Sequence, residues 1–219
     1  MKQPFNAFAE AHRHHAVIFG ILLGSIVLAY WVHPAFRIIA GFAFLAGLFT
    51  FYFFRDPQRK IPVDADAIVS PADGTIVAIE DLSDSPHYDG PCKRISIFLS
   101  VFNVHINRAP FAGIVESITY KPGAFKNAMR ADTTDINEAN TVRMQTEKGP
   151  VSVRQISGLI ARRIVCRAEV GDTLQKGERF GMIKFGSRTE LYLPPNVQIC
   201  AKMDDKVAGG ETILARFTE

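Results

Sequence analysis

Two uncharged apolar stretches near the start of this 219-residue chain restrict its architecture more than any other feature. The first, AVIFGILLGSIVLAYWV, covers residues 16–32; the second, IIAGFAFLAGLFTFYFF, covers residues 38–54. Each is about 17 residues long, near the lower limit for crossing a hydrocarbon core of roughly 30 Å. Between them His33-Pro34-Ala35-Phe36-Arg37 leaves room only for a tight hairpin turn. A cleaved signal peptide accounts for the first stretch but not the second, and no small-residue cleavage site follows Val32. Core helices are the other option, yet helices apolar on every face are rare in a domain this small. The pattern therefore predicts a transmembrane helical hairpin within residues 1–54. Lys2 and Arg13 precede it and Arg55, Arg59 and Lys60 follow it, whereas only Arg37 lies in the turn. By the positive-inside rule both ends face the cytoplasm, which places the chain at the cell (inner) membrane. Tyr30, Trp31 and Tyr52 suit interfacial positions. His12, His14 and His15 read as polar residues flanking a membrane helix, and no metal is expected.

Charge collects beyond residue 55. Residues 55–62, RDPQRKIP, form a polar, proline-bearing linker, and residues 63–219 read as a β domain. Short runs rich in β-branched residues recur at 74–80, 94–101, 113–120, 141–146, 151–155 and 160–168, with turn pairs such as Asp73-Gly74 and Pro122-Gly123 beside them. Helical periodicity is scarce and allows a turn or two at 124–131 and 135–139. The expected fold is mostly β, a sandwich or barrel. The net charge of +3 is too small to indicate nucleic acid, and no basic stripe with interleaved aromatics is present. It suits an anionic lipid surface at least as well. The cysteines, Cys92, Cys166 and Cys200, are odd in number and lack CxxC spacing, so they read as small buried hydrophobes in a reducing compartment.

Two hairpin-like segments are more specific. Val170-Gly171-Asp172-Thr173-Leu174-Gln175-Lys176-Gly177-Glu178 resembles the turn of biotinyl- and lipoyl-type β sandwiches, and Ser70-Pro71-Ala72-Asp73-Gly74-Thr75-Ile76 resembles their other hairpin. No lysine occupies a hairpin tip in an E-M-K-like setting, so a carrier role is not implied.

Gly186-Ser187, within FGSRTELYLP, is by itself an ordinary turn pair. Its setting is not ordinary. A membrane hairpin, FFRDP at 53–57, SPADG at 70–74, VHINRAP at 104–110 and FGSR at 185–188 follow one another in an order that resembles the short form of the phosphatidylserine decarboxylase proenzymes. The resemblance covers nearly the whole chain. It implies self-cleavage between Gly186 and Ser187, a pyruvoyl group derived from Ser187, and release of CO2 from phosphatidylserine to leave phosphatidylethanolamine. It also implies two product chains, β (1–186) and α (187–219), a phospholipid membrane as partner, and no nucleic acid. Self-association into a homo-oligomer is compatible with the pattern.

The chemistry explains these residue types. Ser187 Oγ can attack the Gly186 carbonyl, and glycine has no Cβ to obstruct the approach. The hydroxyl is a weak nucleophile and needs a base. His105, in VHINRAP, is the candidate, because an unperturbed pKa near about 6.5 suits proton transfer at neutral pH. The resemblance makes Asp73 the carboxylate that orients the imidazole, although Asp-Gly is also a common turn pair. The longer bacterial enzymes carry a further histidine three residues before the catalytic one and an LGST cleavage motif. Here those positions hold Phe102 and FGSR, so any phosphate contact shifts elsewhere, with Arg188 and Arg108 as candidates. Two alternatives share parts of the pattern: a decarboxylase of another serine-headed lipid, such as an ether-linked one, and a non-enzymatic membrane-anchored biotinyl-like module.

Overall fold

The computed structural model describes residues 5–129, 134–159, 163–184 and 186–218. The chain divides into a helical unit, Asn6–Pro57, and a larger β unit from Gln58 onward.

The helical unit consists of α1 (Ala7–Trp31) and α2 (Phe36–Phe53). α1 starts well before the apolar stretch because Asn6 caps it: its side chain accepts hydrogen bonds from the amides of Phe8 (3.0 Å) and Ala9 (3.3 Å). The turn is tied by the Ala35 amide, which donates to His33 Nδ1 at 3.1 Å. The helices approach closely at Gly47, where a Cβ would lie 3.6 Å from Ile18 Cγ2. Within the unit the His15 ring stacks on Phe51 and the His14 ring lies against Phe54. Phe19, Leu23, Phe42, Leu45 and Trp31 point outward and are exposed. Both helices are long and apolar enough to cross a membrane.

The β unit is mostly strand, as the turn-punctuated pattern predicts. In chain order its strands are β1 (Ala67–Val69), β2 (Gly74–Leu82), β3 (Cys92–Leu99), β4 (Ile106–Arg108), β5 (Gly113–Lys121), β6 (Ala139–Thr146) and β7 (Gly149–Ile156). There follow β8 (Ile164–Cys166), β9 (Thr173–Leu174), β10 (Arg179–Ile183), β11 (Ser187–Leu193), β12 (Gln198–Ile199), β13 (Lys206–Val207) and β14 (Ile213–Arg216). Among the described residues they form a curled eight-stranded sheet, β13-β2-β3-β11-β7-β6-β5-β9, and two three-stranded sheets, β1-β14-β12 and β4-β10-β8.

β11 occupies the middle of the large sheet, antiparallel to β3 on one side and β7 on the other, and all seven of its residues are buried. Strand alternation gives it two faces. Ser187, Thr189, Leu191 and Leu193 share the inner face with Leu99, Ile97 and Ile95 of β3, and Leu191 and Leu193 join the apolar core with Val142, Met144, Val151 and Val153. Arg188, Glu190 and Tyr192 occupy the outer face.

Two expectations need correction. No helix forms in the described parts of 124–131 and 135–139. Instead the Ala124 amide donates to Ile136 O at 2.7 Å and Ala124 bridges to Asn137, which pins the two segments together, while Ala139 already belongs to β6. The run expected at 160–168 is a strand only at Ile164–Cys166; residues 160–162 lie outside the described residues.

Candidate active site

The chain enters β11 from β10 through Lys184, Phe185, which lies outside the described residues, and Gly186. Gly186 has φ +61, in the left-handed region that glycine enters without a Cβ penalty. The nearest atom to a Cβ built there is Val101 Cγ1 at 3.9 Å, so conformation rather than space selects glycine. The segment is pressed from another side by Gly158, where a Cβ would stand 2.1 Å from Gly186 O. The next residue, Ser187, is fully buried, and its Oγ has no hydrogen-bond partner among the described residues. A hydroxyl sealed from water and unpaired is costly by about 1–3 kcal/mol, which is the kind of cost functional sites carry.

His105 is brought to this segment by a self-tied turn. Asn103 Oδ1 accepts from Ser100 N at 2.9 Å and from Ser100 Oγ at 2.7 Å, closing the chain after β3 and turning it inward. The His105 carbonyl then accepts from Ile183 N of β10 at 3.1 Å, so the residue is anchored from the strand that leads to Gly186. The imidazole is fully buried. Its Nδ1 lies 2.9 Å from Asn103 O, and Nε2 accepts the Gly186 N–H at 3.2 Å. A backbone amide can only donate and a carbonyl can only accept. The proton therefore sits on Nδ1, and the Nε2 lone pair points at Gly186. No hydrogen bond joins Nε2 to Ser187 Oγ in this arrangement.

Asp73 is placed differently from the orienting carboxylate of a triad. Arg59 Nη2 donates to both of its oxygens, at 3.0 and 2.8 Å, and the Gly209 amide donates to Oδ1 at 2.7 Å. Arg59 also donates to Glu211 at 3.1 Å. Burial opposes the charge on Arg59, yet the two carboxylates outweigh it and hold its pKa above the ordinary value. Asp73 is thus tied to the linker, and the position facing His105 Nδ1 is taken by a backbone carbonyl.

The two arginines proposed for the phosphate are also accounted for. Arg188 lies on the outer face of β11, opposite to Ser187, with its Nε 3.2 Å from Glu190 Oε1. Arg108 is buried and donates from Nη1 to Gly177 O at 3.0 Å. Neither is brought to Ser187 by these contacts.

Sequence reasoning missed two groups. On the inner face a buried polar row continues from Ser187: Asn107 Nδ2 donates to Thr189 Oγ1 at 3.0 Å, Gln155 Nε2 to Asn107 Oδ1 at 2.8 Å, and Asn140 Nδ2 to Gln155 Oε1 at 3.0 Å. Thr189 pairs with Gln155 and Gln155 with Asn140 in register, so the row crosses three adjacent strands. Its signal was the polar residue interrupting each apolar alternation. On the outer face Glu190 lies among Arg188, Arg154 (3.7 Å) and Arg94 (3.9 Å) and accepts from Tyr192 Oη at 2.7 Å. Burial lowers the Arg188 pKa despite Glu190, and burial followed by the Glu190 charge raises that of Tyr192.

The comparisons with known proteins agree with one another. The family model described as Phosphatidylserine decarboxylase matches residues 46–215. The phosphatidylserine decarboxylase proenzyme of Desulfotalea psychrophila is 48% identical over 174 residues, covering 79% of this chain and 81% of that protein. The proenzyme of Geotalea uraniireducens is 47% identical, with 82% and 84% covered. That of Carboxydothermus hydrogenoformans is 41% identical over 220 residues, with 99% of each chain covered.

Proposed function

The chain belongs to the phosphatidylserine decarboxylase family, and we infer that it removes CO2 from the serine headgroup of phosphatidylserine after cutting its own Gly186–Ser187 bond. The observation that carries the self-cutting part is the conjunction at the bond: a left-handed Gly186 with its N–H on His105 Nε2, followed by a buried Ser187 whose Oγ has no partner among the described residues.

In this reading Ser187 Oγ adds to the Gly186 carbonyl carbon, the bond from that carbon to Ser187 N breaks, and an ester replaces the amide. The proton leaving Oγ passes to His105 Nε2, which exchanges the Gly186 N–H for the hydroxyl, and a proton is returned to Ser187 N. Removal of the Ser187 Cα proton and breakage of Cβ–Oγ then release residues 1–186 with a free Gly186 carboxylate. Water converts the remaining enamine to an α-keto group and ammonia. The residues fit that group: it would begin β11, in a fully buried position on the inner face beside the Asn107–Thr189–Gln155 row. It would supply an electron sink for the pair left when CO2 departs.

His105 is the proposed proton carrier, and the Asn103 carbonyl fixes its tautomer. Asp73 has a supporting role that requires it to trade Arg59 for the imidazole. Arg108 rather than Arg188 is kept as the phosphate contact, since Arg188 is occupied by Glu190 on the other face. The α chain of 187–219 and the β chain of 1–186 stay associated. The helical unit is assigned to the membrane, on its exposed apolar residues, with the β unit on the cytoplasmic side, on the distribution of Lys and Arg. The biotinyl-like segments are read as a way of building turns: Lys176 of one of them is held by the Asp64 carbonyl, which does not suit a carrier lysine.

Intact-mass spectrometry tests the cut. The wild-type chain is expected as two fragments divided at 186/187, the second keto-terminated, and Ser187→Ala as one chain of 24.3 kDa. His105→Gln should slow the cut by about 10²–10⁴-fold. A wild-type chain that releases CO2 from phosphatidylserine vesicles with the bond intact would overturn the reading.

A further inference from the structure

Two turns of the β unit reach Gly186, a third packs on one of them, and each ends in the same way. Val101 supplies the atom nearest to a Cβ built on Gly186, at 3.9 Å. Gly158 abuts the Gly186 carbonyl, and Ala128 Cβ lies 3.3 Å from a Cβ built on Gly158. In every case the following residue is large, apolar and turned outward: Phe102 is 65% exposed, Met129 56% and Leu159 65%. Phe125 and Ile136 extend the apolar area, joined through the hydrogen bond from Ala124 N to Ile136 O. Lys126, three residues before Met129, and Arg163, four after Leu159, are exposed cations on the same stretches of chain.

We propose that Phe102, Met129 and Leu159 form an apolar rim around the scissile segment that docks the β unit onto a lipid bilayer. Single exposed apolar residues are ordinary on protein surfaces; three on separate turns, two touching the scissile segment and the third packed on one of these, are not. A bilayer is the occupant that suits them best, and this rests on the proposed function. The headgroup must reach Ser187 while its acyl chains keep an apolar environment, and a rim seated in the lipid meets both conditions at once. Flanking cations match a surface bearing anionic serine lipids, and the same chain carries two helices apolar enough to enter a membrane. Phe102 thereby has a function of its own at the position where the longer enzymes carry a histidine.

The docking is tested without decarboxylation. Trp31 is the sole tryptophan of the chain, so Phe102→Trp in a Trp31→Phe, Ser187→Ala background reports from the rim alone. In phosphatidylcholine–phosphatidylserine proteoliposomes its emission should fall at least twofold when the acyl chains are brominated near the headgroup. Unchanged emission overturns the proposal, as does Phe102→Cys crosslinking between two copies of the chain in place of quenching. In the cleaving chain, the combined Phe102→Ser, Met129→Ser and Leu159→Ser variant should lower the ratio of turnover on vesicles to turnover on dispersed short-chain phosphatidylserine by tenfold or more. An unchanged ratio also overturns it. Quenching in the Ser187→Ala reporter, together with a Ser187-bearing chain that stays intact, would leave the rim standing and the self-cutting reading refuted.

Discussion

Glu190→Gln should destabilise the β unit by about 3 kcal/mol while leaving the shape of β11 almost unchanged. Glu190 is fully buried and faces three guanidinium groups, at 3.2, 3.7 and 3.9 Å. Removing one partner of a buried ion pair costs about 3–5 kcal/mol, because the other charge stays desolvated. The low end applies here. Arg94 keeps Glu80 at 2.7 Å and Arg154 keeps Asp135 at 3.6 Å, so Arg188 is the cation stripped of its anion. Its pKa is already lowered by burial with Glu190 in place, which marks it as the strained charge of the group. Glutamine preserves the volume and an acceptor for Tyr192 Oη, so the loss isolates charge. About 3 kcal/mol is roughly a hundredfold in the folding equilibrium and about 6–12 °C in Tm for a unit of this size. Thermal unfolding followed by near-ultraviolet circular dichroism at pH 7 measures it. Arg188→Met/Glu190→Leu, which removes both charges, should cost less than the single change. A single variant within 2 °C of the parent, or a double variant less stable than it, would refute the reasoning.

Gly158→Ala should slow self-cleavage at least tenfold with the fold retained, because the new Cβ must displace the Gly186 carbonyl it would meet at 2.1 Å; unchanged fragment formation over time would count against the geometry. Arg59→Met releases Asp73 from its ion pair, so if Asp73 serves the imidazole the cut should quicken rather than slow, as timed by gel electrophoresis of freshly synthesised chain. His87 is pushed down to about 4, by burial first and by Arg154 next. The folded state therefore favours the neutral ring. Its contribution is complete above the unfolded pKa near about 6.5 and is lost as pH falls through about 4. His87→Gln should flatten the stability profile across that window, and a profile identical to the parent's would sink the assignment.

Much of the frame was legible in residue pattern. Turn pairs at Asp73-Gly74 and Pro122-Gly123 and β-branched runs located β2, β3, β5, β6 and β7, because long antiparallel strands carry their own period. β11 was not recognised as a strand, although it is the central one. Buried on both faces, it alternates Ser187, Thr189, Leu191 and Leu193 with Arg188, Glu190 and Tyr192, and only the charged partners on β3 and β7, far away in sequence, make that pattern intelligible. The short strands β1, β4, β9 and β12–β14 are two to four residues long, too brief for any period to show. At the site, motif resemblance singled out Ser187 and His105, and the structure sets His105 Nε2 against the Gly186 amide. The hydrogen bonds between Arg59 and Asp73 were not legible, since nothing local in RDPQRKIP indicates a carboxylate fourteen residues on. The Asn103 carbonyl escaped for a different reason: a backbone acceptor leaves no mark in side-chain chemistry.

If the chain cuts itself between Gly186 and Ser187 as proposed, the order of events follows from where that cut falls. The contact between Gly186 and His105 Nε2 joins residues 81 apart, and it exists only when β11 lies between β3 and β7. Ser187 is not placed for reaction by its neighbours in sequence, so an unfolded or partly folded chain has no reason to break there. Once broken, residues 187–219 cannot simply leave. β11 stays paired along its length with β3 and over most of it with β7, β13 pairs with β2, and β14 pairs with β1. Leu191, Leu193, Leu214 and Phe217 remain in a core built mainly from the other fragment. Cutting relieves one left-handed glycine and one unpaired hydroxyl while the contacts that hold the strand persist. On the proposed reading the sheet must therefore form before the cut, and the same interleaving that delays the cut keeps its products together.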